Sequence, residues 1–486
     1  MDISSLGATS LTRHLGRWRN DANGEAAYRQ LARALRLLVL DGRVGLGVRL
    51  PGERELAQAL GLSRTTLAAA YDLLRDEGYL VSRQGSGSVT RLPSEREAHA
   101  DPEDMLGHGS NIMDWTAASL PGSQAVWHAY EDALHQLPAH LSGIGYEALG
   151  LPRLRQAIAA DYVRRGLPTT PDQIMVTTGA QHGFALLLRL LAGPGDRVVV
   201  DHPTYHNVLG AIRRSSCMPV PVGLPQAGWD IDAIHAAFRQ TGPRFAYIIP
   251  DFQNPTGRSM DVDQRRELVA VAERDRTPLV IDETMAEIAL DGPCQPPVAL
   301  FDATGTTVIS LGSASKRFWG GLRIGWIRAE EQMIAALGRI RATLDLATPV
   351  MEQLAAATLI VSDAGREERT DMLCARRGAL MDALALYLPQ WRIERPAGGM
   401  SLWAELPGPN ATALAALAHG EGLRIAPGPR FGVDGAFERF VRLPFTLPEA
   451  ELRMGVERLA AVDARLRHRT PRADVASWAL EADRVI

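Results

Sequence analysis

The sequence predicts an α/β protein in two parts: a small N-terminal helical module and a large unit whose mostly parallel sheet carries helices on both faces. Three observations lead there. A length of 486 residues exceeds what one hydrophobic core usually organises. Near the N-terminus, two short helical stretches meet at a glycine turn and are followed by two strand-like runs. Further on, apolar runs at 174–177, 197–200, 245–249, 278–281 and 307–311 alternate with helical stretches, the pattern of parallel strands joined by covering helices.

In chain order, Leu31, Ala34, Leu35 and Leu38 recur at helical spacing over 27–40, and Asp41-Gly42 ends that pattern. A second helix is predicted over 51–60, with Pro51 at its start and Gly61 as its stop. Ser63 is placed to cap a third helix running through Leu67, Tyr71, Leu73 and Leu74 to Gly78. Short helix, tight turn, helix is the helix-turn-helix pattern. Tyr79-Leu80-Val81-Ser82 and Ser88-Val89-Thr90 flank Arg83-Gln84-Gly85-Ser86-Gly87 and predict a two-stranded hairpin, the wing. From residue 93 the chain turns polar and acidic without apolar periodicity. The expected organisation is therefore a winged helix-turn-helix over 24–92, a linker over 93–110, a large domain over 111–466 and a tail over 467–486.

Composition narrows the function. With 46% hydrophobic and 22% charged residues the chain is ordinary for a soluble protein, and it has no run of ~20 apolar residues to cross a bilayer. The opening Met1-Asp2-Ile3-Ser4-Ser5 lacks a basic stretch followed by an apolar one, so a cytoplasmic protein without a membrane partner is expected. Cys217, Cys294 and Cys374 form no CxxC pair and are expected to be reduced packing residues, with no metal site. A net charge of −4 gives no overall nucleic-acid signal, but arginine outnumbers aspartate plus glutamate in the first ninety residues. A DNA-binding role is expected there.

One residue stands apart. Lys316 is the sole lysine in a chain with 51 arginines. Arginine replaces lysine as a surface charge, but its guanidinium stays protonated and forms no imine with an aldehyde. A lone lysine is either the survivor of a compositional bias or a residue kept for its amine. Its neighbours decide between these.

The span from Tyr28 to Thr90 resembles the GntR family of winged-helix regulators, through Arg49-Leu50-Pro51-Gly52-Glu53-Arg54-Glu55-Leu56-Ala57, Leu62-Ser63-Arg64-Thr65-Thr66 and Glu77-Gly78-Tyr79-Leu80. The resemblance implies a double-stranded DNA operator as partner. Ser63, Arg64, Thr65 and Thr66 open the recognition helix, where hydroxyls and backbone N–H groups meet phosphate and Arg64 reaches base edges. It also implies contacts from Arg54, with Arg49 beside them, and from Gln84 and Gly85 at the wing tip. A winged helix used for protein contacts, its arginines a solvated face, is the alternative.

From about Asp114 to Ala461 the chain resembles fold-type I pyridoxal-phosphate enzymes, the aspartate aminotransferase group. The resemblance rests first on Ser313-Ala314-Ser315-Lys316 followed by Gly320-Gly321-Leu322-Arg323-Ile324-Gly325-Trp326. It implies pyridoxal 5'-phosphate as cofactor, an imine to Lys316, phosphate binding by Ser313 and Arg323, and a small C-terminal α+β subdomain beside the large one. Four further segments follow in the family's order. Thr178-Gly179-Ala180-Gln181 opens a helix and so places Gly179, Ala180 and Gln181 at the phosphate. Tyr205 of Pro203-Thr204-Tyr205 stacks on the pyridine. Asn254 of Asn254-Pro255-Thr256-Gly257 donates to the ring's phenolic oxygen. Asp282 pairs with the pyridinium nitrogen, which makes the ring an electron sink.

Two more residues match family roles. Tyr146, in Gly145-Tyr146-Glu147, matches the tyrosine that reaches the neighbouring subunit's phosphate, which implies a homodimer. Arg442, in Val441-Arg442-Leu443, matches the arginine that clamps an amino acid's carboxylate, with an ordinary ion pair as the alternative. There is one departure. Met285 stands where many relatives have a tyrosine after the aspartate, and only Thr284 beside it offers a hydroxyl.

A winged helix fused N-terminally to this fold is the architecture of the MocR subgroup of GntR regulators, which the whole chain resembles. That implies a regulator sensing pyridoxal phosphate, an amino compound or amino acid effector, or both, with at most residual aminotransferase activity. A working aminotransferase with an accessory DNA-binding domain, or another pyridoxal-phosphate enzyme such as a lyase, are the alternatives, and fold alone does not separate them.

Overall fold

The structure, a computed structural model, describes residues 5–16, 18–19, 26–40, 44, 48–83, 87–90 and 112–469. The wing-tip residues Gln84 and Gly85, the Asp41-Gly42 helix stop, the predicted linker and residues 470–486 lie outside them. The chain divides into two units, Met1–Ile112 with Thr412–Leu417, and Met113–Ala411 with Ala418–Ile486.

In the first unit the helices are α1 (Ala8–Leu15), α2 (Ala27–Leu40), α3 (Glu53–Leu60) and α4 (Arg64–Asp76). The hairpin strands are β1 (Leu80–Arg83) and β2 (Gly87–Thr90), paired antiparallel from Leu80↔Thr90 to Arg83↔Gly87. Leu31 and Leu35 of α2, Leu56 of α3, and Leu67 and Leu74 of α4 share one core. Gly61 takes the left-handed conformation (φ 65°) that ends α3, a position where any side chain is strained. Ser63 Oγ then accepts the Thr66 N–H at 3.1 Å and starts α4. Tyr71 Oη donates to the Pro51 carbonyl at 3.0 Å and Arg75 pairs with Glu53 at 3.1 Å, which fixes α4 against the turn before α3. Helix α1 was not expected: it is only two turns long, yet Leu11 and Leu15 join the same core.

The second unit begins with β3 (Met113–Trp115), α5 (Gln124–Gln136) and α6 (Pro152–Arg164). A βα alternation follows: β4 (Ile174–Thr177), α7 (Ala180–Leu191), β5 (Arg197–His202), α8 (His206–Arg214), β6 (Met218–Gly223), α9 (Ile231–Thr241), β7 (Phe245–Ile248), α10 (Val262–Asp275) and β8 (Leu279–Asp282). Next come β9 (Val308–Ser313), the single turn α11 (Ala314–Arg317), β10 (Gly325–Arg328), α12 (Glu331–Arg341), α13 (Val350–Ser362) and α14 (Arg366–Tyr387). The C-terminal part holds β11 (Arg392–Ile393), β12 (Ser401–Glu405), α15 (Ala411–Gly420), β13 (Leu423–Pro427), β14 (Phe440–Pro444) and α16 (Glu449–Arg469). Helix α16 thus runs on through residues 467–469, where the sequence suggested a tail.

The large sheet has the order β4-β10-β9-β8-β7-β5-β6 and is parallel except for β10, which runs antiparallel to both neighbours. Strand residues alternate between two cores, as the pleat requires. Val199, Ala246, Ile248 and Ile281 pack in one with Leu154, Leu268 and Leu354 from α6, α10 and α13. Val198, Val200, Tyr247 and Val280 pack in the other with Leu187, Ile212 and Leu337 from α7, α8 and α12. The smaller sheet has the order β11-β12-β14-β13-β3. Its β3 comes from the start of the unit and pairs parallel with β13, Ile425 opposite Trp115, whose indole donates to the Pro444 carbonyl at 2.5 Å. Among the described residues no helix is long and apolar enough to cross a membrane, and no group of ligating side chains could hold a metal ion.

Candidate functional site

The carboxyl ends of the parallel strands open on a cavity of about 440 Å³, the place where open α/β sheets bind ligands. Each strand end delivers a side chain or a turn there. Strand β8 ends in Asp282, β9 runs through Ser313 into Lys316, and β4 leads into Gly179 and the start of α7. Tyr205 follows β5 and Asn254 follows β7. Ala180, Gln181, Tyr205, Asn254, Asp282, Ser313, Lys316, Arg323 and Arg442 all line this one space. Gly179 caps α7 beside it, and Tyr146 stands outside it, 63% exposed.

Lys316 Nζ donates to the Ala118 carbonyl at 2.7 Å. Burial first, then the Arg442 and Arg323 cations, push its pKa down to about 8, against the pull of Asp282. Asp282 is buried and accepts from Tyr247 Oη at 2.5 Å and from the Thr284 N–H at 2.8 Å. Burial raises its pKa, and those hydrogen bonds pull it back in part. Thr284 thus serves the aspartate through its backbone N–H. Met285 is buried and lines the cavity.

The start of α7 is built for close approach. Gly179 adopts φ 84° and offers no capping side chain, so the first amides of the helix stay uncapped. A Cβ on Gly179 would lie 2.6 Å from Arg323 Nη2, and one on Gly325 would lie 2.5 Å from the Gly179 carbonyl carbon. Among the described residues Arg323 donates only to carbonyls, those of Thr178 at 3.2 Å and Gly320 at 3.3 Å. Ser313 Oγ accepts the Ser315 N–H at 3.1 Å.

Arg442 is buried on β14, its guanidinium 4.9 Å from the Phe431 ring centroid. It donates to Asn254 Oδ1 at 3.0 Å and to the Thr116 carbonyl. No described carboxylate lies within ion-pair distance of Arg442, so the ordinary ion pair weighed from the sequence is absent. Burial, and then Arg430, bring its pKa down to about 10. Among the lining residues not anticipated are Tyr247, His206 and Arg430. His206 is driven down to about 4 by burial, then Arg430 and Arg442, and stays neutral.

In the first unit, Arg54, Arg64, Ser63 and Thr65 are exposed, and Thr66 is partly so. Neither Arg54 nor Arg64 forms an ion pair among the described residues. The Ser63 hydroxyl is engaged with Thr65 Oγ1 at 2.8 Å and Thr66 Oγ1 at 2.7 Å as well as with the helix cap. It thereby holds the helix start. Arg49 is half-buried, on a bridge to Val89 of the wing.

Comparison with known proteins agrees with both units. Residues 106–459 match the aminotransferase class I and II family, and residues 27–89 match the bacterial regulatory proteins of the gntR family. The chain is a MocR-type member of the aminotransferase class I and II family. It is 28% identical to the HTH-type transcriptional regulator YdcR of Escherichia coli over 443 residues, 85% of this chain and 94% of that protein. It is also 28% identical to the probable rhizopine catabolism regulatory protein MocR of Rhizobium meliloti, over 78% of this chain and 81% of that one. Among solved structures, the α-aminoadipate aminotransferase LysN of Thermus thermophilus, complexed with N-(5'-phosphopyridoxyl)-L-leucine, superposes with a TM-score of 0.69 at 27% identity, covering 76% of this chain and 96% of LysN. The MocR-type arrangement accounts for an uncapped helix start and a half-buried lysine sharing a chain with a winged helix.

Proposed function

We propose that this chain is a transcription regulator that binds operator DNA through its winged helix and senses pyridoxal phosphate, together with an amino compound, at Lys316. One observation carries the reading: a solitary lysine, half-buried and held to the Ala118 carbonyl, lines a cavity with Asp282, Arg323 and Arg442, in a chain that also has a gntR-family domain.

The cavity residues fit the cofactor. Gly179 and Gly325 leave a cradle beside Arg323 that a Cβ would fill, and the buried atoms Gln181 Oε1, His206 Nδ1 and Arg442 Nε have no protein partner among the described residues. Pyridoxal phosphate, when bound, supplies an electron-poor aldehyde that takes up amines. The rest belongs to the protein. Ala180 and Gln181 amides, the Ser313 hydroxyl and Arg323 bind the phosphate dianion. Asp282 holds a proton at the ring nitrogen, and Tyr205 covers a ring face. Asn254, its Oδ1 turned to Arg442, keeps its N–H₂ for the phenolic oxygen. Arg442 orients a carboxylate.

At the DNA end, Arg64 reads base edges, while Arg49, Arg54, Ser63, Thr65 and Thr66 hold the backbone, with Gln84 and Gly85 of the wing beside them. A homodimer is part of the proposal. Tyr146 and its exposed apolar neighbours Leu141 and Ile144 support a covered face from which Tyr146 serves the other subunit's phosphate. A cytoplasmic location goes with this role.

Sequencing the DNA fragments that the protein retains, with and without pyridoxal phosphate, tests the reading: one enriched site whose recovery depends on cofactor is expected. The second reading is a working aminotransferase, favoured by a Lys316 amine partly unprotonated near neutral pH. Ordinary turnover with amino donors and keto acids, alongside DNA retention that ignores the cofactor, would put it in first place.

A further inference from the structure

We propose that Arg317 is a positioning residue for Lys316: its ion pair with Glu287 fixes the lysine turn against the turn that follows Asp282, and so sets the span between the amine and that aspartate. It rests on the reading of this cavity as a pyridoxal-phosphate site.

Lys316 and Arg317 are consecutive in α11, which has only four residues. One turn of helix does not hold its own place, since closing it fixes several dihedrals for a single hydrogen bond, here from the Phe318 N–H to the Ala314 carbonyl at 2.9 Å. Lys316 lines the cavity, whereas Arg317 goes to the surrounding helices and turns. Arg317 is 3% exposed and meets carboxylates from three segments: Glu287 at 2.7 Å, Asp363 at the end of α13 at 2.8 Å and Asp161 of α6 at 3.2 Å. A planar guanidinium can face several acids at once. Burying such a group of charges adds little stability over apolar packing of the same size, and its better-attested use is to fix which groups face each other.

Glu287 is the partner that bears on the cavity. Strand β8 ends in Asp282, and a run of turns follows. Asp282 accepts the Thr284 N–H at 2.8 Å, the Glu283 carbonyl accepts the Ala286 N–H at 3.0 Å, and the Met285 carbonyl accepts the Ile288 N–H at 2.9 Å. Glu287 is thereby held in place relative to Asp282, as Arg317 is relative to Lys316. Asp161 and Asp363 tie Arg317 to helices instead. Pyridoxal phosphate needs both ends of this span: the amine, which condenses with its aldehyde and releases water, and the carboxylate that meets its ring nitrogen. Pyridoxamine phosphate carries an amine in place of the aldehyde and needs only the carboxylate end.

The test is calorimetric titration of the whole chain, freed of cofactor, with each of these two compounds. Glu287→Gln and Asp363→Asn form a matched pair. Each takes one carboxylate from Arg317 and one from Arg366, at 2.7 and 2.6 Å, but only the first cuts the tie to the Asp282 turn. Glu287→Gln should weaken pyridoxal phosphate about tenfold and leave pyridoxamine phosphate within about twofold, while Asp363→Asn leaves both within about twofold. Arg317→Gln should give the same split as Glu287→Gln and replaces it if that variant does not fold, because Glu287 and Asp363 then keep Arg366, and Asp161 keeps Arg164 at 2.5 Å. Equal weakening of both compounds, as a merely structural role would produce, overturns the inference. So does unchanged affinity for pyridoxal phosphate, or the same loss in Asp363→Asn. A wild type that takes up no pyridoxal phosphate fails the cofactor reading itself, and this inference with it.

Discussion

The Tyr247 hydroxyl donates to Asp282 Oδ2 at 2.5 Å, linking adjacent strands β7 and β8 at the floor of the cavity. This donor ties down a carboxylate that burial would otherwise leave poorly solvated. Tyr247→Phe should lower the stability of the cofactor-free protein by about 1–3 kcal/mol at neutral pH, read as the urea midpoint. The bond favours the ionised aspartate, so the variant's Asp282 pKa rises further above its unfolded value. The gap between variant and wild type should therefore widen as pH rises above the ordinary carboxylate range, and shrink below it. An equal gap at every pH would refute a role through Asp282.

The Lys316 pKa of about 8, down from 10.5, should be visible directly. Trinitrophenylation of the cofactor-free protein should follow a midpoint near pH 8, and Arg442→Gln should move the midpoint up by removing a nearby cation. Between the two pKa values the native chain binds fewer protons than the unfolded one, so this group's contribution to stability improves as pH rises from about 8 to 10.5. In the loaded protein, Lys316→Ala should abolish the visible band, and borohydride should fix a pyridoxyl group at Lys316 alone.

For Arg64, exposed at the start of α4, Arg64→Ala should weaken operator binding by about 1–3 kcal/mol in a salt-controlled titration, with cofactor content unchanged. Unaltered operator affinity would mean that another element reads the bases. Ser63→Ala should in addition cost about 1 kcal/mol of helix stability, because the Ser63 hydroxyl caps α4.

Coupling between the units requires that a ligand bind the DNA-competent and DNA-incompetent arrangements with different affinity. Pyridoxal phosphate, or its adduct with an amino compound, should shift the operator Kd about 5–150-fold at fixed salt, the range of ordinary coupling energies. Lys316→Ala should blunt that shift. Salt must be held constant because phosphate contacts alone move Kd by orders of magnitude.

Gly325→Ala places a Cβ 2.5 Å from the Gly179 carbonyl carbon and 2.6 Å from the Ala180 nitrogen. Both are backbone atoms, so the start of α7 must move. Stability should fall by about 1–3 kcal/mol, and cofactor retention through gel filtration should fall with it.

What the sequence disclosed follows from how each feature is encoded. The apolar runs behind β4, β5, β7, β8 and β9 are buried on both faces and so read as unbroken hydrophobic stretches. Strand β6 was hidden because Pro219 and Pro221 interrupt it, which an edge strand tolerates. Strand β10 was hidden behind its glycine-rich motif. Among cavity residues, rarity exposed Lys316, whereas Arg430 was concealed by 50 other arginines. Tyr247 looked like any aromatic residue in a buried strand. Its bond to Asp282 spans 35 residues and exists only once the two strands are side by side.

Strand β3 is where the chain, leaving residue 112, first enters the second unit, and its pairing with β13 is fixed by Met113, Asp114 and Trp115 opposite Leu423, Arg424 and Ile425. The residues that follow immediately present the Thr116 carbonyl to Arg442 and the Ala118 carbonyl to Lys316. A slip of one residue along β13 would carry both oxygens about 3.3 Å, further than a hydrogen bond stretches. Tension applied to the chain at residue 112 thus has a mechanical reading frame: it is borne by three paired residues, and if they yield, the bonds next in line are those that hold the Lys316 amine and the Arg442 guanidinium.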